Sequence, residues 1–334
     1  MTRRVRLGRG VEFRLSTGET VVADGAGAGI NADCTVLSHA HADHLVPKSA
    51  GPVVCSPCAA DLAAARSGST PERLESGHPL VDLVDAGHVA GSKAALIHDT
   101  AADRDYLYTA DCSVRDRFFL DGFEPPSADV LVIETTYGKP EYTFPEQSEI
   151  ETEIVDWLAD TRDRPVLLFG YSLGRAQQLE LLAQRAERER VFVWPTVAAV
   201  DAAIEPHYDV TFEGIEYDAD AVDLGPGDAL VLPTNFARGD TVSRLVDERD
   251  ALKAGFSGWA VDDSYLYRGG HDVTFPLTDH CDFSELAQVV EAVNPEVVYT
   301  QHGFTEAFAT HVTTELGYEA WALKRDQTAL SEFY

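Results

Sequence analysis

Short apolar runs, separated by turns rich in glycine and aspartate, make up most of the first 138 residues of the chain. Apolar runs of roughly four to eight residues between such turns are typical of buried β-strands. The pattern predicts six strands, at Val11–Leu15, Thr35–Ser38, Val81–Val84, Ala94–His98, Tyr106–Thr109 and Val130–Glu134. Residues 1–138 are therefore expected to form a domain, or part of one, that is built around β-sheet.

Helical periodicity becomes prominent from about residue 139 to residue 275. Apolar residues recur at helical spacing over Ser148–Asp160, with Ser148 as the expected N-cap, and over Arg175–Arg190. Strand-like runs lie between or after these helices, at Val166–Phe169, Val191–Trp194 and Leu230–Leu232. Because these elements alternate and carry their own apolar residues, they predict an inserted α/β domain over 139–275.

The final part of the chain, 276–334, returns to a pattern that continues the first part. It predicts a helix, a strand, a second helix and a last strand, at Ser284–Val293, Val297–Thr300, Thr305–Leu316 and Ala320–Leu323. We therefore expect an α/β protein in which 1–138 and 276–334 form one domain around the insertion.

Composition and charge limit the environment in which this fold works. The 334 residues carry a net charge of −30, with 56 acidic and 26 basic residues. This acidic, lysine-poor composition resembles that of proteins from salt-loving archaea, where a Debye length of about 3 Å screens self-repulsion. The overall charge therefore does not exclude a nucleic-acid partner. No apolar stretch is long enough for a membrane span and no secretion signal is present, so we expect a cytoplasmic protein.

Residues 39–44 read His-Ala-His-Ala-Asp-His and follow the strand predicted at Thr35–Ser38. Because side chains alternate along extended chain, His39 and His41 project to the same side. Asp43 and His44 can face a second point after the backbone turns. Imidazole and carboxylate groups bind Zn²⁺ at about 2.0–2.2 Å, so this segment predicts a site for two metal ions.

Three further donors follow predicted strands in turn-like contexts, namely His88, Asp111 and His302. Side chains in loops directly after buried strands commonly line functional sites, and these three complete a set of seven donors. The glycine-rich segment Asp24–Gly29 lacks the lysine of a phosphate-binding loop, so we interpret it as a flexible turn. Cys55 and Cys58 form a lone CxxC pair, which we expect to be structural.

This ordered set resembles the metallo-β-lactamase fold superfamily, and most closely its β-CASP branch of nucleases. That branch includes mRNA 3′-end cleavage factors, ribonuclease J and Artemis-type DNA nucleases. The superfamily motifs match at His39-x-His41-x-Asp43-His44, His88 and Asp111, and the branch signatures match at Glu134, His280 and His302. The resemblance implies a metallo-β-lactamase αββα sandwich with an inserted β-CASP cap domain over 139–275.

The resemblance also implies a role for each of these residues. His39, His41 and His88 would hold one zinc, Asp43, His44 and His302 the other, and Asp111 would bridge the two. Mn²⁺ would be a substitute for zinc. The implied catalytic residues are Asp43, His280 as general acid and Glu134, which would orient His280. Products would carry a 5′-phosphate and a 3′-hydroxyl.

The segment Gly170-Tyr-Ser172-Leu-Gly174 permits two interpretations. It matches the GxSxG nucleophile elbow of serine hydrolases, and a Ser172–Asp223–His302 triad would fit that order. It also resembles the β-CASP segment that starts a helix at Gly174-Arg175, where Ser172, Gly174 and Arg175 would bind a substrate phosphate at the helix N-terminus. We favour phosphate binding, because the triad leaves the histidine-rich motifs unexplained.

The expected function is hydrolysis of single-stranded nucleic acid by a dizinc centre. A DNA exonuclease is favoured, because the compact chain looks most like DNA-ligase-associated exonucleases, and an RNA 3′-end processing ribonuclease is the alternative. A small-molecule hydrolase of the superfamily and an inactive scaffold are further alternatives, opposed by Glu134, His280 and the complete donor set. Expected partners are single-stranded DNA or RNA, with a DNA ligase or the RNA-processing machinery.

Overall fold

The structure is a computed structural model that describes residues 4–25, 32–46, 53–68, 71–74, 77–262 and 264–324. The chain divides into two compact units. The first contains residues 1–114, 122–140 and 283–334, and the second contains residues 115–121 and 141–282. The insertion was predicted at 139–275, whereas the second unit covers 141–282 and also takes the short segment 115–121, which the sequence pattern did not indicate.

The elements are numbered in chain order over the described residues. The strands are β1 Val5–Leu7, β2 Val11–Arg14, β3 Thr20–Ala23, β4 Cys34–Val36, β5 Val53–Val54, β6 Val81–Asp85, β7 Lys93–Asp99, β8 Arg104–Tyr108, β9 Val130–Glu134, β10 Val166–Gly170, β11 Arg190–Val193, β12 Ile215–Glu216, β13 Asp228–Pro233, β14 Leu252–Phe256, β15 Val273–Phe275, β16 Val297–Gln301 and β17 Glu319–Ala322. The α-helices are α1 Pro57–Ser67, α2 Gln147–Asp160, α3 Arg175–Arg185, α4 Pro195–Ile204, α5 Asp240–Arg249, α6 Ser264–Gly269, α7 Phe283–Val293 and α8 Thr305–His311. A π-helical segment, Val312–Leu316, continues α8.

Two sheets form the core of the first unit. One has the order β1-β2-β3-β4-β5 and the other the order β17-β16-β9-β8-β7-β6. A single apolar cluster combines side chains of both sheets, for example Phe13 and Val36 with Ile97 and Val132, all of them fully buried. The two sheets therefore pack face to face through a shared hydrophobic core.

Strand direction brings the predicted donors of the first unit to the same ends of these sheets. β8, β9 and β16 are parallel neighbours, and β6 runs in the same direction because it is antiparallel to β7, which is antiparallel to β8. His88, Asp111 and His302 each follow the carboxyl end of one of these strands. In the other sheet β3 and β4 are parallel, and the segment 39–44 follows β4.

The second unit is built on one parallel sheet with the order β12-β11-β13-β10-β14-β15. Apolar clusters cover both faces of this sheet. One contains Leu168 with Ile154 of α2 and Leu179 of α3, and the other contains Phe169 with Leu245 of α5. Helices on both faces of a parallel sheet define an α/β architecture, which confirms the α/β part of the predicted fold class.

Two predicted helix ends are wrong, and tertiary contacts explain one of them. The helix predicted to reach residue 190 ends at Arg185, and Glu187 adopts a φ of 54°. The buried Arg188 then donates hydrogen bonds to the carbonyl oxygens of Leu158 and Asp228, 2.9 and 2.7 Å away. These long-range bonds hold the chain out of the helix. The first helix begins at Gln147 with Glu146 as its N-cap, not with Ser148.

Cys55 and Cys58 are buried free thiols at the start of α1. Burial raises the pKa of Cys55 to about 11 and that of Cys58 to about 12. Both groups are therefore protonated thiols at neutral pH and poor nucleophiles, as expected for packing residues. In the part of the chain that the structure describes, no helix is both long and apolar enough to cross a membrane.

Candidate metal centre

Four predicted ligands converge in the first unit: His39, His41, His88 and Asp111. One ligand atom from each lies within 4.8 Å of all the others. His41 Nδ1 lies 3.1 Å from His39 Nε2 and 3.3 Å from His88 Nε2. Asp111 Oδ2 lies 3.6 Å from His39 Nε2 and 3.8 Å from His88 Nε2. The four atoms thus form a closed cluster around a common point.

The spacing of this cluster fits a tetrahedral cation. Four ligands at about 2.0–2.1 Å from a zinc ion lie roughly 3.3 Å from one another, and the pairwise distances of 3.1–3.8 Å bracket that value. His39 and His88 are fully buried, Asp111 is buried and His41 is half-buried, so most of this set lies away from water. Without a cation such a set would be costly, and zinc is the ion that this donor chemistry favours.

Asp111 connects this cluster to a second group of donors, formed by Asp43, His44 and His302. Asp111 Oδ2 lies 3.6 Å from His44 Nε2, the same distance as from His39 Nε2. Asp43 Oδ2 lies 3.8 Å from His44 Nε2, and the rings of His44 and His302 have centroids 5.8 Å apart. The Asp43 carboxylate is 77% exposed and His302 is also exposed. The second group is therefore the open side of the centre.

The electrostatics of His44 show that this place favours positive charge. Burial lowers its pKa, but the carboxylates of Asp24, Asp111 and Asp43 outweigh that effect and raise the pKa of His44 to about 10. The same negative potential attracts a divalent cation more strongly than it attracts a proton. Metal binding at this site would therefore release the proton from His44.

Asp24, which follows β3, fixes the orientation of the histidines. It accepts hydrogen bonds from His44 Nδ1 at 2.9 Å, Tyr108 Oη at 2.8 Å and Ser38 Oγ at 2.6 Å. Because Ser38 Oγ donates its proton to Asp24, it acts as the acceptor for His39 Nδ1, 2.9 Å away. With both Nδ1 atoms acting as donors, the Nε2 atoms of His39 and His44 are the ones turned toward a metal, which would displace the proton from His44 Nε2.

We did not predict Asp24, because we interpreted Asp24–Gly29 as a flexible turn; residues 26–31 lie outside the described residues. One signal was present in the sequence, namely a carboxylate directly after the run Thr20–Ala23, much as Asp111 follows its strand three residues after the strand ends. The φ of 51° at Asp24 is a left-handed conformation, uncommon for a residue with a side chain.

Asp24→Asn is expected to weaken metal binding about 10- to 100-fold, because the amide keeps the shape but loses the charge that holds both imidazoles. Competition with a chelator measures this affinity. Asp33→Asn is the matched control, since Asp33 lies at the start of the neighbouring strand β4 and accepts a hydrogen bond from Thr20 N at 2.8 Å. Equal affinity in the two variants would show that Asp24 has no orienting role.

The turn that carries His302 is built against the end of β9. Gln301 and Glu134 pair in the parallel ladder, and Thr135 N donates to the carbonyl oxygen of Gln301 at 2.8 Å. Gly303 adopts a φ of 59°, and a Cβ atom there would lie 2.3 Å from the carbonyl oxygen of Thr135. Only glycine fits this approach, so the close packing fixes the backbone directly after His302.

Glu134 lies at the carboxyl end of β9 and is fully buried. Its Oε2 accepts a hydrogen bond from Thr136 N at 2.8 Å, and its Oε1 lies 3.4 Å from Cys112 N, one residue after Asp111. His280 lies in the second unit, where it is half-buried. Its backbone N–H donates to Thr278 Oγ1 at 3.2 Å. The predicted catalytic roles of Glu134 and His280 stay predictions.

The residues predicted to bind substrate phosphate lie at the start of α3. Gly174 N donates to Gln177 Oε1 at 2.8 Å. Arg175 is buried, with its Nε 3.5 Å from Asp279 Oδ1 and its guanidinium carbon 4.6 Å from the ring centroid of Tyr171. Ser172 is half-buried. Phosphate binding by these residues stays a prediction.

A buried pair of carboxyl groups supports this segment. Gln177 Nε2 donates to Ser172 O at 3.1 Å and to Asp201 Oδ1 at 2.7 Å, and Asp201 shares a hydrogen bond with Glu180. Burial, followed by the negative charge of Asp201, raises the pKa of Glu180, and burial raises the pKa of Asp201. The folded pair therefore holds a proton that the unfolded chain loses at lower pH.

This pair predicts a stability that falls with rising pH. Because the folded pKa values are raised, the stabilisation is present in acid and is lost as pH rises through them, by up to about 1.4 kcal/mol per pH unit for one proton. Glu180→Gln is expected to flatten this dependence between pH 5 and pH 9 in urea unfolding. The control Glu151→Gln changes a surface ion pair with Arg185. Parallel pH profiles for wild type and Glu180→Gln would contradict the shared proton.

Fold and site together define an α/β protein with a cluster of histidines and an aspartate, at the ends of its strands, that could hold a metal ion. No family model matches the chain. A protein named "Probable DNA ligase" from Opitutus terrae is 32% identical over 304 residues, which cover 87% of this chain and 28% of that protein. "Transcription termination factor FttA" of Methanocaldococcus jannaschii is 32% identical over 117 residues, 34% of this chain and 18% of that protein. "DNA cross-link repair protein SNM1" of Arabidopsis thaliana is 29% identical over 161 residues, 42% of this chain and 32% of that protein.

The chain matches relatives that support the family predicted from its motifs, the metallo-β-lactamase-fold nucleases of the β-CASP branch. It spans at most about a third of the length of these three relatives. Their own activities and partners are therefore properties of larger proteins.

Proposed function

We propose that the protein is a dizinc phosphodiesterase that hydrolyses single-stranded nucleic acid. The observation that carries this proposal is the position of Asp111 Oδ2, 3.6 Å from a histidine of each donor group. Two metal ions about 3.5–4 Å apart stabilise both the attacking and the leaving oxygen in phosphodiester hydrolysis, and a carboxylate in this position could bridge such a pair. In this proposal the first unit is the αββα sandwich and the second unit is the β-CASP cap domain.

Two zinc ions would supply Lewis acidity that stabilises the negative charge developing on the phosphoryl oxygens. His39, His41 and His88 would hold one ion, and Asp43, His44 and His302 the other. Asp24 and Ser38 would keep the imidazole nitrogens deprotonated toward the ions. His280 would give its proton to the leaving 3′-oxygen when the P–O bond breaks, and Glu134 would orient His280.

DNA is the substrate that we favour, with an exonuclease mode that leaves a 5′-phosphate and a 3′-hydroxyl. In support, the relative that aligns with 87% of the chain is named "Probable DNA ligase", and the alignment covers 28% of that protein. We propose a DNA ligase as the functional partner. The alternative is an RNA 3′-end processing nuclease, supported by the shorter alignments with transcription termination factors and an RNase J-like protein.

The test uses end-labelled single-stranded DNA and RNA of matched sequence, with Zn²⁺ or Mn²⁺, in low and in molar salt. Removal of nucleotides one at a time from DNA supports the exonuclease, and a faster reaction on RNA supports the alternative. The salt series also tests the halophilic interpretation of the net charge, which stays a prediction. A protein that binds two zinc ions but cleaves neither polymer would contradict the proposed function.

Ser172→Ala is expected to raise the KM for nucleic acid modestly, about two- to fivefold, because one hydrogen bond to a phosphate is lost. The kcat should stay measurable. Tyr171→Ala is a useful comparison, since Tyr171 is the exposed neighbour that stacks on Arg175. Complete loss of hydrolysis in Ser172→Ala, with zinc still bound, would instead support the serine nucleophile.

A further inference from the structure

The carboxylate that precedes His280 is held by two buried arginines. Asp279 is fully buried, and its Oδ1 lies 3.5 Å from Arg175 Nε and 4.0 Å from Arg117 Nη1. Arg117 Nη1 also donates to the carbonyl oxygen of Thr278 at 3.2 Å. Gln178 Nε2 donates to the same Asp279 oxygen at 3.4 Å. Three side chains, one from the segment 115–121 and two from helix α3, therefore contact the turn on the N-terminal side of His280.

The carboxylate after His280 is fixed in the same way. Asp282 Oδ2 accepts a hydrogen bond from Arg115 Nη2 at 3.2 Å and one from Phe144 N at 3.0 Å. Arg115 Nη1 donates to the carbonyl oxygen of Pro145 at 2.8 Å. Asp282 is buried. The turn 279–282 is thus anchored at both ends, and all of these contacts lie within the second unit.

Two of the arginines come from the short segment 115–121, which the fold assigns to the second unit although its sequence neighbours belong to the first. This segment begins four residues after Asp111. Buried arginines lose hydration and side-chain freedom, which is costly unless carboxylates pair with them. The presence of these arginines around the turn 279–282 is explained if the function of the protein depends on the position of that turn.

We infer that Arg117 and Arg175, through Asp279, are positioning residues that set the place of His280 for its proton transfer. This inference rests on the proposed function. It gives Arg175 a role that differs from phosphate binding. Its guanidinium is buried against Asp279 and packs on the ring of Tyr171, so it acts on the turn through Asp279 and not on a substrate phosphate. A misplacement of about 1 Å at a catalytic group can lower a rate roughly 100-fold.

The experiment compares two substrates that differ in their need for an acid. With an oligonucleotide the P–O3′ bond breaks and the 3′-oxygen takes a proton from His280. With the p-nitrophenyl ester of thymidine 5′-phosphate the P–O bond to the aryl group breaks and p-nitrophenolate leaves without a proton. A defect in His280 placement therefore lowers the first rate only.

Asp279→Asn keeps the shape of the turn and removes its charge, and Arg175→Met removes one anchor. Both are expected to lower kcat on the oligonucleotide roughly 10- to 100-fold, with KM changed less than about twofold and the ester rate less than about threefold. Arg175→Lys should recover part of the loss, because it restores a cation near Asp279. The double variant of Asp279→Asn with Arg175→Met should lose less than the product of the single losses.

Arg188→Met is the matched control, because Arg188 is a buried arginine of the same unit that bonds backbone carbonyl oxygens away from the turn. It should leave the ratio of the two rates unchanged. The inference is overturned if Arg175→Met raises KM for the oligonucleotide with kcat unchanged, or if both substrates lose rate equally. A wild-type protein that hydrolyses neither substrate with zinc bound would instead refute the proposed function.

Discussion

Replacing Asp111 with asparagine is expected to lower hydrolysis of nucleic acid by at least roughly 10³-fold and to remove bound zinc. The reason is that one oxygen, Oδ2, lies 3.6 Å from the Nε2 atoms of both His39 and His44. The amide has similar size, but it has no charge to bind two cations, and metal stabilisation of the phosphoryl group amounts to several kcal/mol. Elemental analysis of the purified protein measures zinc per chain, and labelled DNA measures the rate.

Asp105→Asn is the control for this substitution. Asp105 lies on β8, shortly before Asp111, and its carboxylate bonds His98 Nδ1 at 2.8 Å on the protein surface. It therefore tests the loss of a carboxylate–histidine contact away from the centre. Two zinc ions per chain in Asp111→Asn, with normal turnover, would mean that Asp111 bridges nothing. Loss of one ion with partial turnover would assign Asp111 to a single site.

The donors were predictable from sequence because each lies directly after a strand or within one short segment. His39, His41 and His44 occupy six consecutive residues, so their proximity depends on local backbone alone. Asp111 and His302 required only that parallel strands end at one edge of a sheet, and the pairing of β8, β9 and β16 supplies that arrangement. Alternation and chain direction are properties that a single sequence carries.

The anchoring residues were not predictable, since their contacts join distant parts of the chain. Tyr108 contacts Asp24 across 84 positions, and Arg117 contacts Thr278 across 161. No periodicity relates such pairs, and an arginine before a loop most often lies in solvent. The predicted end of α3 was wrong for a similar reason, because Arg188 donates hydrogen bonds to carbonyl oxygens of residues distant in the sequence.

Helix α1 is a different case, because its signals were present in the sequence and we overlooked them. Ser56 caps the helix by accepting a hydrogen bond from Ala59 N at 3.0 Å, proline occupies the first turn, and Gly68 ends the helix with a φ of 66°. This order of serine, proline and glycine is a strong helix signature.

The second large effect is expected for His280→Ala, which should lower kcat on DNA about 10²- to 10⁴-fold, the range of general acid catalysis. Zinc content should stay at the wild-type value, because His280 is not among the residues proposed to hold metal. Substrate affinity should also change little, because His280 is proposed to act in proton transfer and not in substrate binding. This combination of full metal content and lost turnover separates His280 from Asp111.

Sulfur substitution tests the chemical role of His280 directly. In a substrate with sulfur in place of the bridging 3′-oxygen, the leaving group departs as a thiolate, which needs no proton. The rate ratio of wild type to His280→Ala should therefore fall toward one. His311→Ala provides the control, because His311 packs against Phe283 in the first unit and is not part of the donor set. If the oxygen and sulfur substrates show equal losses in His280→Ala, the leaving group is not protonated by this residue. The anchored turn 279–282 would then serve another purpose, such as holding the substrate strand, and its arginines would affect KM instead of kcat.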